Sequence, residues 1–342
     1  MMIRFDQLPT EERALYLREA AVRLNMPPVI VEKDYWVCWT LRELFSLPDA
    51  GGALTFKGGT SLSKVWGLIE RFSEDIDLTI DRDFLGFGGD RNPETAPSTK
   101  QRNNRLKELK TACQEYVERK LLPLLEARIR SVLPAGDSWL LRMDDADVDG
   151  QTILFQYPAS LQSEDGFYVQ PIVKIELGAR SDTWPSEAAV IKPFLVEVLN
   201  TVVAPLDCSV QVLSAERTFW EKALLIHEET FRPADKPRRA RMARHYYDLW
   251  CLIQKGIAAR AAEDKALFDR VAAHRQVFFR LNWVDYSTVH KGNLRLMPVT
   301  GDVQAWKQDY EWMQTAMFLD DPPPFEQILD GVRQFEEDFN RV

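Results

Sequence analysis

Two carboxylates separated by one residue, Asp75 and Asp77, sit in the run Arg71-Phe72-Ser73-Glu74-Asp75-Ile76-Asp77-Leu78-Thr79-Ile80. Side chains alternate along a strand, so this spacing predicts both carboxylates on one face and Ile76, Leu78 and Ile80 on the other. Such a pair can hold Mg²⁺, a hard cation that takes oxygen ligands and shares substrate phosphates. Just upstream, Phe56-Lys57-Gly58-Gly59-Thr60-Ser61-Leu62-Ser63-Lys64 places a Gly-Gly turn before hydroxyl residues and an apolar-periodic run of Leu62, Val65, Trp66 and Ile69. The pattern predicts a tight turn feeding a helix, with Thr60 or Ser61 near its N-cap. A helix N-terminus presents free N–H groups and positive potential, which suit a phosphate. A Gly-Gly turn or an Asp-x-Asp pair alone is weak evidence; at this separation the two together are more specific.

The rest of the chain must position these groups. Its 342 residues allow two domains, and a hydrophobic content of 45% supports a packed core. A formal charge of −9 excludes a generally basic nucleic-acid coat but not a local basic groove. Cys38, Cys113, Cys208 and Cys251 have no metal-binding or Cys-x-x-Cys spacing and read as reduced, mostly buried thiols of a cytoplasmic protein. The first residues, Met-Met-Ile-Arg-Phe-Asp, do not form a signal peptide, and no apolar run approaches the ~20 residues of a membrane span. No membrane partner is therefore expected.

Residues 10–24 read as a helix capped by Thr10, and Val29–Phe45 as a second, amphipathic helix packed on a sheet. Gly86 to Pro93 reads as a glycine-rich polar insertion, and Lys100 to Leu133 as a long helix broken near Pro123. Asp145-x-Asp147-x-Asp149-Gly150 imitates a calcium loop, but its twelfth position is Gln156 rather than Glu. A hairpin turn over Val148–Gln151 is the better reading, because Asp-Gly favours hairpin geometry. Val169 to Gly178 is a second strand-like run, in which Lys174 and Glu176 share a face. Further strands are expected at Phe194–Val198 and Val210–Leu213. From Ser214, a plausible cap, the sequence turns helical. Arg238, Arg239, Arg241 and Arg244 form a basic cluster that could neutralise phosphates.

Gly-Gly, a helix and then Asp-x-Asp resembles the first motif of polymerase-β-like nucleotidyltransferases. Lys57-Gly58-Gly59-Thr60-x-Leu62-x-Lys64 followed by Arg71-x-Ser73-x-Asp75-Ile76-Asp77-Leu78 resembles more closely the AbiEii/AbiGii toxin family, nucleotidyltransferases that form the toxin halves of bacterial toxin–antitoxin and phage-defence pairs. Glu32 to Trp36, the segment from Glu216 through Lys222 to Leu224, and Arg244-His245-Tyr246-Tyr247-Asp248-Leu249 also resemble family motifs. The last departs from the pattern, with His245 where many relatives carry Asp.

The resemblance implies an α+β fold. A nucleotidyltransferase domain with a mixed sheet flanked by helices would span residues 1–213, and a helical domain residues 214–342. It implies Asp75 and Asp77 as ligands of Mg²⁺, or of Mn²⁺, with Glu176 as a third. For Glu176 an exposed Lys/Glu strand face is the competing reading. Gly58, Gly59, Thr60 and Ser61 would hold the phosphates of an NTP substrate. Lys222 and Arg244 would balance triphosphate charge, and Asp248 would position a base, ribose or lysine. A lysine at the edge of such a helix more often faces water. The implied acceptor is tRNA at its 3′ end, or another RNA, and the implied partner is a cognate antitoxin. Transfer to a protein hydroxyl or small molecule, and a nucleotide-binding module without turnover, are the alternatives.

Overall fold

The computed structural model describes residues 2–161, 170–318 and 321–341. Residue 169, the expected start of the second strand, lies outside them. By its contacts the chain divides into two compact units, Met1–Val65 with Glu74–Val212, and Trp66–Ser73 with Leu213–Val342.

The first unit is built on a mixed seven-stranded sheet: β1 Leu54–Lys57, β2 Ile76–Ile80, β3 Leu140–Met143, β4 Thr152–Gln156, β5 Ile172–Gly178, β6 Ser186–Ile191 and β7 Cys208–Leu213. Their order is β3-β4-β5-β2-β1-β7-β6. β1 and β2 are antiparallel, and β2 and β5 run parallel with Asp77 opposite Glu176. Paired residues point to the same side of a sheet, so Lys57, Asp77 and Glu176 share one face. Phe56, Ile76, Leu78, Ile153, Phe155, Val173, Ile175 and Val212 fill the other, and all are buried.

Among the described residues its α-helices are α1 Thr10–Leu24, α2 Pro28–Phe45, α3 Gly58–Lys64, α4 Thr99–Tyr116, α5 Leu122–Val132 and α6 Phe194–Val198. Helix α2 covers the apolar sheet face, and its Trp39 stacks on Phe155 at 5.8 Å between ring centroids. Pro9, not Thr10, occupies the cap of α1. A π-helical turn, Val117–Leu121, joins α4 to α5 just before Pro123. Proline lacks an N–H and crowds the carbonyl four residues back, which accounts for the break.

Three further expectations are corrected. The helix after the Gly-Gly turn ends at Lys64 instead of continuing to Ile69, and Gly67 follows with φ +59. The β3–β4 hairpin exists, but residues 144–151 connect it. Asp147 braces that loop by accepting from the N–H groups of Asp149 and Gln151 and from the Thr152 hydroxyl. Residues 194–198 form helix α6 rather than a strand. Pro193 caps it, and the Phe194 N–H donates to Asp34 at 2.7 Å.

The second unit is helical: α7 Ala215–Glu229, α8 Arg244–Gln254, α9 Ile257–Glu263, α10 Lys265–Phe278, α11 Val303–Met317 and α12 Phe325–Asn340. The Ser214 hydroxyl accepts the Arg217 N–H and caps α7, as its sequence predicts. The core gathers Phe219 and Trp220 of α7, Phe268 of α10, and Phe335 and Phe339 of α12. Residues 66–73 are stitched into this unit: Phe72 N–H donates to the Met317 carbonyl, and Trp66 Nε1 to that of Leu213.

Candidate active site

In the first unit the chain enters β2 through Glu74 and Asp75, so Asp75 lies just before the strand and Asp77 within it. Gly58 opens α3 with φ +79, where a side chain is strained. A Cβ there would meet Asp77 Oδ2 at 2.0 Å, so the turn lies directly against the carboxylate. The Thr60 hydroxyl donates to the Asp75 carbonyl at 2.5 Å, and the Ser61 hydroxyl to the Gly58 carbonyl at 2.9 Å. Both residues are buried inside α3, not at its cap. Their side chains therefore set the shape of the turn and tie it to Asp75.

The Asp75 carboxyl is pushed up to about 6, first by burial and then by the charges of Glu176, Asp77 and Glu74, with Lys174 acting against them. Acidic groups this crowded bind a proton or a cation to relieve their repulsion. Glu176 itself pairs with Lys174 at 2.6 Å. Among the described residues no three His, Cys, Asp or Glu side chains converge in a metal-ligating geometry. The donor chemistry fits a hard divalent cation held by Asp75 and Asp77 and completed by phosphate oxygens.

Helix α2 braces this cluster with charges buried in an apolar helix. Lys33 pairs with Glu74 at 2.9 Å and donates to the carbonyls of Gln170 and Ile172 at the start of β5. Asp34 pairs with Lys64 at the end of α3, 2.7 Å away, and the Lys64 ammonium lies 3.7 Å above the Phe194 ring. Glu32 accepts the Ser160 and Leu161 N–H groups. Amphipathicity did not reveal these roles. The available signal was three consecutive charged residues, Glu32-Lys33-Asp34, within an otherwise apolar run.

In the second unit Lys222 is buried, not water-facing, and its ammonium lies 2.8 Å from Asp248 Oδ2. Arg71 grips both oxygens of the same carboxylate, with Nε at 2.8 Å and Nη2 at 2.9 Å. Burial opposes ionisation of Asp248, but the two cations outweigh it and hold the carboxyl well below its usual range. Burial, together with Arg71 and Arg244, keeps Lys222 below the ordinary lysine range despite Asp248. Arg244, the first residue of α8, has no side-chain hydrogen bond or ion pair among the described residues. His245 is held neutral by burial and by the Lys222 and Arg244 charges, and its Nδ1 has no hydrogen-bond partner among the described residues.

The basic cluster separates into two kinds of arginine. Arg238 pairs with Asp302 at 2.8 Å and lies 4.0 Å over the Trp306 ring. Arg241 has φ +63 and lies over the Trp312 ring. Arg239 is exposed and has no ion pair among the described residues.

No helix of the described residues is long and apolar enough to cross a membrane. No curated protein matches the sequence. Among solved structures, MenT4, the nucleotidyltransferase toxin Rv2826c from Mycobacterium tuberculosis H37Rv, matches 98% of this chain and 90% of its own with 15% identity and a TM-score of 0.51. A putative nucleotidyltransferase from H. pylori matches 90% of this chain and 94% of its own with 14% identity and a TM-score of 0.35. The first likeness supports the fold, a mixed sheet with helices followed by a helical unit. The family model of the nucleotidyl transferase AbiEii toxin of type IV toxin–antitoxin systems matches residues 39–331, a span that holds the Gly-Gly turn, the Asp75/Asp77 strand, Lys222 and Asp248, and the chain belongs to that family.

Proposed function

We propose that this nucleotidyltransferase moves a nucleotide from an NTP to an RNA acceptor, the 3′ end of tRNA, and that it does so in the cytoplasm under the control of a cognate antitoxin protein. The observation that carries the chemistry is the crowding of Asp75, Asp77 and Glu176 beside Gly58. Family membership supports the toxin role.

Asp75 and Asp77 would hold Mg²⁺ or Mn²⁺, with Glu176 joining once it leaves Lys174. The metal supplies charge stabilisation to the attacking oxygen and the departing pyrophosphate. Gly58 and Gly59 let the main chain approach the phosphates, while Thr60 and Ser61 hold the turn in shape. Lys222 and Arg244 would balance triphosphate charge, and Asp248 would position Lys222. The nucleotidyltransferase domain would span residues 1–213 and the helical domain residues 214–342, with residues 66–73 of the first packing within the second compact unit.

Incubating the protein with each α-labelled NTP, total RNA and cell protein tests the reading. Label should enter RNA, and Asp77→Ala should lower the rate ~10²-fold or more, the usual cost of deleting one electrostatic stabiliser. Label in protein or a small molecule would replace the acceptor. Full activity in Asp75→Ala/Asp77→Ala would end the assignment of the site.

A further inference from the structure

We propose that Arg71 is a positioning residue that offsets the charge of Asp248, so that Lys222 is oriented by this carboxylate while the three groups together keep a net positive charge for a polyphosphate. The inference rests on the triphosphate role of Lys222 and adds a residue that acts only through it.

The geometry is specific. Arg71 lies in the segment 66–73, which packs within the second unit. Its main chain bridges to Phe318, and the next N–H donates to Met317. Its side chain is buried and makes the two-pronged contact with Asp248. Planar guanidinium matches both carboxylate oxygens, a contact lysine cannot reproduce. Asp248 Oδ2 thus receives Arg71 and Lys222 together.

The charges explain why both are present. An isolated Lys222–Asp248 pair would be neutral, and its lysine would have little electrostatic advantage for an anion. With Arg71 the three groups carry a net positive charge, and Arg244 adds another from the start of α8. His245 contributes none, because it is held neutral. A buried excess of positive charge is costly alone and is relieved by a polyanion. The Arg71 charge also favours proton loss from Lys222, opposing the effect of Asp248.

The test uses the full chain and two readouts independent of turnover: binding of inorganic tripolyphosphate by calorimetry, and titration of Lys222 by ε-¹³C lysine NMR. Arg71→Gln leaves Asp248 paired with Lys222, so no buried charge is stranded. It should weaken tripolyphosphate binding on the order of ten-fold, the expected loss of one nearby charge at intermediate dielectric. It should also move the Lys222 titration upward. Arg71→Lys keeps the charge and should hold the titration close to wild type. Arg71→Gln/Asp248→Asn removes one charge of each sign and should recover part of the lost affinity, because the net charge returns while the carboxylate that orients Lys222 is gone. A purely structural Arg71 predicts no shift in the Lys222 titration and no recovery in the double variant, and either result overturns the proposal. Absence of nucleotidyl transfer by the wild type would fall on the function proposed above, since neither readout depends on it.

Discussion

Gly58 and Asp77 are in such close approach that no side chain fits between them: a Cβ on Gly58 would lie 2.0 Å from Oδ2 and 2.7 Å from Cγ. The glycine also has φ +79, a left-handed conformation costing other residues about 1–2 kcal/mol. Gly58→Ala should therefore displace Asp77 or the turn. Transfer from labelled NTP should fall by about 10²-fold or more, the scale set by a misplaced electrostatic group. Gly52 is the control, because a Cβ there meets nothing within 4 Å. Gly52→Ala should keep wild-type turnover. Wild-type turnover in Gly58→Ala would remove the close approach from the mechanism.

What the sequence revealed was local. Strand alternation placed Ile76 and Leu78 in the core, and the Ser214 cap followed from residue type and the apolar stripe after it. What it hid was long-range. The helix at 194–198 forms where a strand was expected because Asp34, far away in the chain, accepts the Phe194 N–H. Lys222 is buried rather than water-facing because Arg71 and Asp248 complete its environment. Asp75 was legible as a carboxylate, and the resemblance offered Glu176 as a companion, but the burial that first pushes the Asp75 carboxyl up, ahead of the Glu176 charge, was not legible. Periodicity reports which face a residue takes, and only tertiary pairing reports what meets it there.

His227 provides a pH dependence within the second unit. Its Nδ1 accepts the Arg295 N–H at 3.0 Å and its Nε2 lies 3.0 Å from the Thr288 hydroxyl, so the ring is neutral with its proton on Nε2. Burial first, then the Arg295 and Arg275 charges, lower it from 6.5 to about 4. Between these values the unfolded chain binds more protons than the folded one, so stability rises with pH. The contribution is present above the unfolded value and is lost as pH falls towards 4, with a slope of at most about 1.4 kcal/mol per pH unit. Urea unfolding of the wild type and His227→Gln from pH 7 to 4.5 checks this. The wild type should lose stability more steeply, and parallel curves would count against the buried neutral imidazole.

Arg238 and Arg239, adjacent in sequence, are expected to behave differently towards RNA. They line a concavity of about 440 Å³ with Arg232, Lys236, Asp302 and Asp309. Arg238 has spent its charge on Asp302 and Glu229 and lies over Trp306. A phosphate would have to compete with those carboxylates. Arg238→Ala should cost stability, on the order of 1 kcal/mol from the ion pair and ring contact, and change RNA affinity little. Arg239 is exposed and has no ion pair among the described residues, so its charge is available to a phosphate. Neutralising one phosphate contributes about 0.7–0.9 to the slope of log affinity against log salt, through release of the counterion. Bulk tRNA titrated at several salt concentrations should show that loss of slope for Arg239→Ala and almost none for Arg238→Ala. Equal losses would mean that RNA displaces Asp302 and Glu229 from Arg238. An unchanged slope in Arg239→Ala would leave this arginine on the solvated surface and place the acceptor path elsewhere.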